Sequence, residues 1–86
     1  MIEIFGKSDC VYCDRAQELC RQHGLTFTYK SLDDRWDGGA NITELKQRKP
    51  DVKTVPQIWW YDKYVGGFND LVEEIENTRN FGQEKI

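Results

Sequence analysis

The chain opens on an alternation of apolar and polar positions. Ile2, Ile4 and Phe5, interrupted by Glu3 and closed by Gly6, read as a short strand. After Lys7-Ser8-Asp9 the spacing turns helical: Cys13, Ala16 and Cys20 recur at i, i+3 and i+7 with Leu19 beside them, so one stripe faces inward. Gly24 stops this helix, and His23 in its last turn suits the negative end of the dipole. Leu25-Thr26-Phe27-Thr28-Tyr29 alternates and is rich in β-branched and aromatic residues, which predicts a second strand. From Leu32 to Ala40 there is no period, and turn residues predict an exposed loop whose one large apolar residue is Trp36.

A second helix is predicted from Asn41, as a cap with Glu44 completing a capping box, to just before Pro50. Its apolar stripe is only Ile42 and Leu45, so tertiary packing must hold it. Pro56 through Tyr61 reads as a strand, Asp62-Lys63 as a turn, and Tyr64-Val65 as the returning strand before Gly66-Gly67. Phe68, Leu71, Val72 and Ile75 then mark a closing amphipathic helix, and from Glu76 to Ile86 the pattern lapses, which predicts a frayed tail. The order βαβ, helix, hairpin, helix defines an α/β chain. Its first two strands should be parallel with a right-handed crossover, and the hairpin should add antiparallel strands to a mixed sheet.

Size and charge narrow the function classes. A chain of 86 residues is expected to be one domain, 1–86, because each half of a two-domain chain would be of a size that usually needs several disulfides or a metal, and three cysteines do not supply several disulfides. Twelve Lys and Arg against fifteen Asp and Glu leave a net charge of −3, with no basic stripe for nucleic acid. No long apolar run predicts a membrane span and no signal-peptide pattern opens the chain, so a cytoplasmic, reducing location is expected.

Cys10-Val11-Tyr12-Cys13 falls where the first strand passes into the first helix. The unpaired N–H groups and positive dipole end there favour a thiolate, so Cys10 is expected to have a lowered pKa and to act as the nucleophile. Cys13, nearly one turn deeper on the inward stripe, is placed to resolve a mixed disulfide on Cys10. A zinc site built from Cys10, Cys13, Cys20 and His23 is disfavoured. Cys13 and Cys20 are separated by about 10.5 Å of helical rise, whereas zinc thiolates lie about 2.3 Å from the ion. Cys20 reads as a small apolar core residue, and His23, at the far end of the helix, has no assigned catalytic role.

Lys7-Ser8-Asp9-Cys10-Val11-Tyr12-Cys13, Thr54-Val55-Pro56-Gln57 and Gly66-Gly67-Phe68-Asn69-Asp70-Leu71 together resemble three motifs of the glutaredoxins, most closely the short dithiol kind of bacteria and tailed phages. The resemblance runs from about residue 1 to 76. It implies a thioredoxin-like fold, βαβαββα, with a four-stranded mixed sheet flanked by about three helices. It further implies a cis Pro56 facing Cys10, glutathione as co-substrate, and no metal. By the same resemblance Lys7, helped by Lys53 or Gln47, meets the glycyl carboxylate. The Val55 backbone pairs with the cysteinyl unit, and Tyr12 flanks the sulfur. The N–H groups of Phe68 and Asn69 receive the γ-glutamyl carboxylate and Asp70 its ammonium, with Thr54, Pro56 and Gly67 also counted in the glutathione-binding set. Val11 departs from the Pro that many dithiol glutaredoxins carry between the cysteines.

The implied activity is glutathione-dependent thiol–disulfide exchange by a monomer, with disulfide-containing proteins as partners and ribonucleotide reductase among the family's clients. Two other readings are open on sequence: a redoxin reduced by thioredoxin reductase, and a module holding an iron–sulfur cluster between two protomers through Cys10 and glutathione. Against the second stands Cys13, where dedicated cluster carriers of the family usually have Ser. Trp36 is either a partner contact or folded back on the core.

Overall fold

The computed structural model describes residues 1–33 and 39–84, with side chains through residue 77. Four strands and three helices alternate in the order β1 (Ile2–Gly6), α1 (Val11–Gln22), β2 (Phe27–Ser31), α2 (Ala40–Arg48), β3 (Gln57–Trp60), β4 (Lys63–Gly66) and α3 (Phe68–Glu84). The sheet order is β2-β1-β3-β4, with β1 parallel to β2 and antiparallel to β3, and β3 antiparallel to β4. This is the predicted thioredoxin-like arrangement.

The period-2 alternation of β1 sends side chains to both faces of the sheet, and both faces are covered. Ile2 and Ile4, with Ile58 of β3, meet Ala16 and Cys20 of α1 and Leu71 and Ile75 of α3. Phe5 and Trp59 point the other way and meet Leu45 of α2 in a smaller cluster edged by Leu32 and Val52. The predicted stripe of α1 is the buried one: Cys13, Ala16 and Cys20 are wholly enclosed.

Four boundaries differ from the sequence expectation, each for a local reason. The second strand begins at Phe27 rather than Leu25, because Leu25 is spent on closing α1: its N–H reaches the Cys20 carbonyl (2.8 Å) and the Gly24 N–H that of Arg21 (3.1 Å), with Gly24 at φ 66°. This is a Schellman ending, with Leu25 packed on the α1 cluster. The α2 capping box does not form. Helix α2 starts at Ala40 after Gly39 in the left-handed region (φ 82°), Asn41 instead donates its amide to the Ser31 carbonyl (2.8 Å), and Glu44 is engaged with Lys30 and Arg48.

The hairpin turns at Tyr61-Asp62, one residue early, because Trp60 already pairs with Lys63 and the Tyr61 N–H is held by the Met1 carbonyl (3.0 Å). Finally, α3 does not fray after Ile75 but continues to Glu84. Residues 76–80 contain neither Pro nor Gly, so nothing there breaks the backbone ladder once the apolar stripe has ended. Trp36 and its neighbours 34–38 lie outside the described residues.

Helix α2 buries only Leu45, and charge supplements that contact. Lys30 of β2 bonds Glu3 (2.9 Å) and Glu44 (2.8 Å), and Arg48 bonds Glu3 (2.9 Å) and Glu44. The Arg48 guanidinium also lies over the rings of Phe5 (5.4 Å) and Trp59 (5.2 Å). The Arg48 hydrogen bond, opposed by burial and aided by Lys30, holds the Glu3 carboxyl below its usual range.

Candidate active site

The segment between β1 and α1 is shaped by two devices. Asp9 occupies the left-handed region (φ 57°), which a short polar side chain tolerates. The Ser8 backbone and hydroxyl both donate to Oδ2 of Asp33, the hydroxyl at 2.6 Å, tying this turn to the end of β2. The chain then enters α1 with Cys10 extended (φ −117°, ψ 103°) as the N-cap. Serine, threonine or aspartate ordinarily takes this place, because an acceptor there satisfies an orphan helix N–H. Here sulfur does so: the Cys13 N–H donates to Cys10 Sγ at 3.1 Å.

Cys10 and Cys13 are joined as a disulfide with Cα atoms 5.2 Å apart. Their exposures differ: Cys10 is half-buried and Cys13 fully buried, while the flanking Val11 and Tyr12 are 61% and 52% exposed. One sulfur is reachable by an incoming thiol and the other only through its partner. Cys20 is free and buried, and burial pushes its thiol up to about 11, which fits the core role read from the stripe.

Cys10 opens on a cleft of about 700 Å³ shared by Lys7, Tyr12, Lys53, Thr54 and Val55, with Ile42, Leu45 and Val52 as its apolar floor. The predicted set thus divides. Lys7, Cys10, Tyr12, Thr54 and Val55 share the cleft, as does Lys53, whereas Gln47 is not among its lining residues. Pro56, next in the chain, is buried and joined to Val55 by a cis peptide bond. The Phe68 ring lies 5.8 Å from that of Tyr12, and a Cβ on Gly67 would stand 3.8 Å from the Pro56 carbonyl oxygen. Asn69 is exposed at the start of α3.

Asp70 has a structural duty as well: its Oδ2 accepts the Gly67 N–H at 3.0 Å, closing the first turn of α3. Gly66, at φ 120°, leaves no room for a Cβ beside that carboxylate. Gln57 braces the approach to the cleft, its amide donating to the carbonyl (2.7 Å) and hydroxyl (3.2 Å) of Thr54, while its carbonyl accepts from the Tyr64 hydroxyl.

Two residues of this neighbourhood escaped the sequence reading. Lys46 lines the cleft. Its position one turn after Ile42 was a usable signal. Gly6 had been read only as a strand end, yet a Cβ there would stand 2.8 Å from Cys13 Sγ and 2.6 Å from the Tyr29 hydroxyl, a long-range approach that no local pattern announces. Among the described residues no group of three or more His, Cys, Asp or Glu could hold a metal, and no helix is long and apolar enough to cross a membrane.

The glutaredoxin family model matches residues 2–65. Glutaredoxin 1 of Escherichia coli K12 is 39% identical over 80 residues, covering 87% of this chain and 92% of its own. Glutaredoxin-C1 of Arabidopsis thaliana is 32% identical over 72 residues, covering 84% of this chain, which spans only 57% of that longer relative. Among solved structures, a buckwheat glutaredoxin–glutathione complex superposes with a TM-score of 0.72 at 30% identity, over 90% of this chain and 69% of that one. The fold, the cysteine pair at the helix start and the sequence match converge: this chain belongs to the glutaredoxin family of thiol–disulfide oxidoreductases.

Proposed function

We propose that the chain is a glutathione-dependent dithiol oxidoreductase in which Cys10 is the attacking thiol and Cys13 the resolving one. The observation that carries this reading is the asymmetry of the pair: a half-exposed sulfur at a helix N-terminus on the mouth of a cleft, bonded to a wholly buried one. Cys10 thiolate attacks a client disulfide, Cys13 thiolate then attacks Cys10 Sγ and releases the reduced client, and two glutathione molecules restore the dithiol.

The groups around the cleft suit glutathione. Lys7, with Lys53, is a cationic end for the glycyl carboxylate, Thr54 and the Val55 backbone offer strand-like pairing beside Pro56, and Tyr12 flanks the sulfur. The α3 start at Gly67, Phe68 and Asn69 offers N–H groups to the γ-glutamyl carboxylate. Asp70, with Oδ2 on the Gly67 N–H, offers Oδ1 to the ammonium. The buckwheat relative's glutathione complex supports this reading. Disulfide-bearing proteins in the cytoplasm are the proposed clients of a monomer, ribonucleotide reductase being the family-typical one.

The test is glutathione-dependent reduction of a small glutathionylated substrate, coupled to glutathione reductase, alongside reduction of a protein disulfide. Cys10→Ser should abolish both, while Cys13→Ser should keep the first and lose the second. Equal loss in the two variants would overturn the assigned roles. No turnover by the native chain would overturn glutathione dependence.

A further inference from the structure

Opening the Cys10–Cys13 disulfide leaves a charge on a buried atom. When glutathione thiolate attacks Cys10 Sγ, a Cys10–glutathione S–S bond forms and the Cys10–Cys13 bond breaks, its electron pair departing on Cys13 Sγ. A second glutathione thiolate then attacks the glutathione sulfur, yielding glutathione disulfide and Cys10 thiolate, so the two electrons reach the enzyme from two glutathiones. The thiolate made in the first step sits on a side chain with no solvent exposure. Burial without a donor makes it a poor leaving group.

The bare Cα of Gly6 marks where a donor approaches. A Cβ built there lies 2.8 Å from Cys13 Sγ, 2.6 Å from the Tyr29 hydroxyl oxygen and 2.9 Å from Tyr29 Cε1. Sulfur and hydroxyl therefore lie no more than 5.4 Å apart, those first two distances laid end to end. Gly6 has no left-handed backbone to explain its identity, so the space itself is what its missing side chain provides. Tyr29 arrives from β2, whose register sets it opposite Ile4, and its hydroxyl donates to the Lys7 carbonyl at 3.3 Å, a long and weakly held bond for an O–H donor.

We propose that Tyr29 is a positioning residue for the resolving thiol: its hydroxyl turns from the Lys7 carbonyl to Cys13 Sγ and stabilises the thiolate there when the disulfide opens. The phenol keeps its proton for this task, because burial first, then the Asp14 and Asp33 carboxylates, raise it above its ordinary range. The same hydrogen bond raises the thiolate fraction of Cys13 when it attacks a client mixed disulfide on Cys10. The inference rests on Cys13 being the resolving thiol, which Cys13→Ser tests separately.

The deciding variant is Tyr29→Phe, which removes one oxygen and keeps the ring that packs on the core. Opening of the Cys10–Cys13 disulfide by glutathione, followed by stopped flow, should slow about tenfold, in the range for losing a hydrogen bond to a charged group. Turnover of a small glutathionylated substrate, which needs only Cys10, should stay within about twofold. In a Cys10→Ser background, the Cys13 thiol pKa, read from thiolate absorbance against pH, should rise by about one unit on adding Tyr29→Phe. Unchanged disulfide opening with an unchanged Cys13 pKa would overturn the proposal. So would equal slowing of both reactions, since a general structural fault moves them together. If Cys13→Ser leaves protein disulfide reduction intact, the resolving role itself has failed, whatever Tyr29→Phe shows.

Discussion

Replacing Gly6 by Ala puts a methyl carbon 2.8 Å from Cys13 Sγ and 2.6 Å from the Tyr29 hydroxyl, inside the closest approach real atoms sustain. The two neighbours yield unequally. Tyr29 meets the new methyl with the hydroxyl edge of a core-packed ring in either redox state, whereas Cys13 Sγ in the oxidised protein is tethered to Cys10 and cannot take another rotamer. After reduction the tether is gone. Overpacking of a buried site costs about 1–3 kcal/mol, so the oxidised variant should lose roughly 5–15 °C in Tm and the reduced variant distinctly less. By the thermodynamic cycle, penalising the oxidised form makes the disulfide easier to reduce, and each 1.4 kcal/mol of difference moves the potential about 30 mV less negative.

The assay is thermal unfolding of both redox states, with equilibration against glutathione buffers of stated ratio. Equal losses in the two states would refute the assignment of the clash to the tethered sulfur. No loss in either would refute the packing argument altogether.

Cys20 should resist alkylation by iodoacetamide at about pH 8 in the native protein, because burial holds its thiol up at about 11, and should react only on unfolding; mass spectrometry that finds it labelled as fast as Cys10 would contradict that. The Glu3 carboxyl, depressed chiefly by its Arg48 hydrogen bond, contributes stability above its unfolded pKa and loses it as pH falls through the lower folded value. Glu3→Gln should therefore cost about 1 kcal/mol at neutral pH, discounted for partial exposure, and the gap from the native chain should close below about pH 4 in urea titrations. A gap that stays constant into strong acid would show that the loss is not electrostatic.

Most of the architecture could be read along the chain because its helices and strands carry their own periods. Ile2 and Ile4, the Cys13–Ala16–Cys20 stripe and the Phe68–Ile75 face each state which side is inward, and each is buried or packed as read. What could not be read depended on partners distant in sequence. Asn41 looked like a cap but bonds Ser31 ten residues back, and Glu44 looked like its capping mate but meets Lys30 and Arg48. Leu25 alternates like a strand residue, yet the Schellman closure of α1 claims its N–H.

The site was legible at Cys10 and Cys13, whose spacing and helix-start position are local facts. The gathering of Lys7, Tyr12, Thr54 and Val55 about one cleft needed the family likeness, since they come from three segments. The approach of Gly6 to Cys13 and Tyr29 could not be read, because only the parallel pairing of β1 and β2 brings the two strands together.

The two sides of the cleft are built from different materials. On one, Cys10 rides on α1, anchored through Ala16 and Cys20 in the main apolar core. On the other, Ile42 and Lys46 ride on α2, a helix that buries a single leucine and is held besides by the Asn41–Ser31 hydrogen bond and the Glu3–Lys30–Glu44–Arg48 charges. Close-packed apolar contacts carry no charge to lose, while each ion pair stands or falls with both of its partners. The Cys10 wall is thus held by close packing and the facing wall by paired charges, so the two edges of the cleft answer to different losses: a cavity in the core loosens the first, removal of a single charge the second.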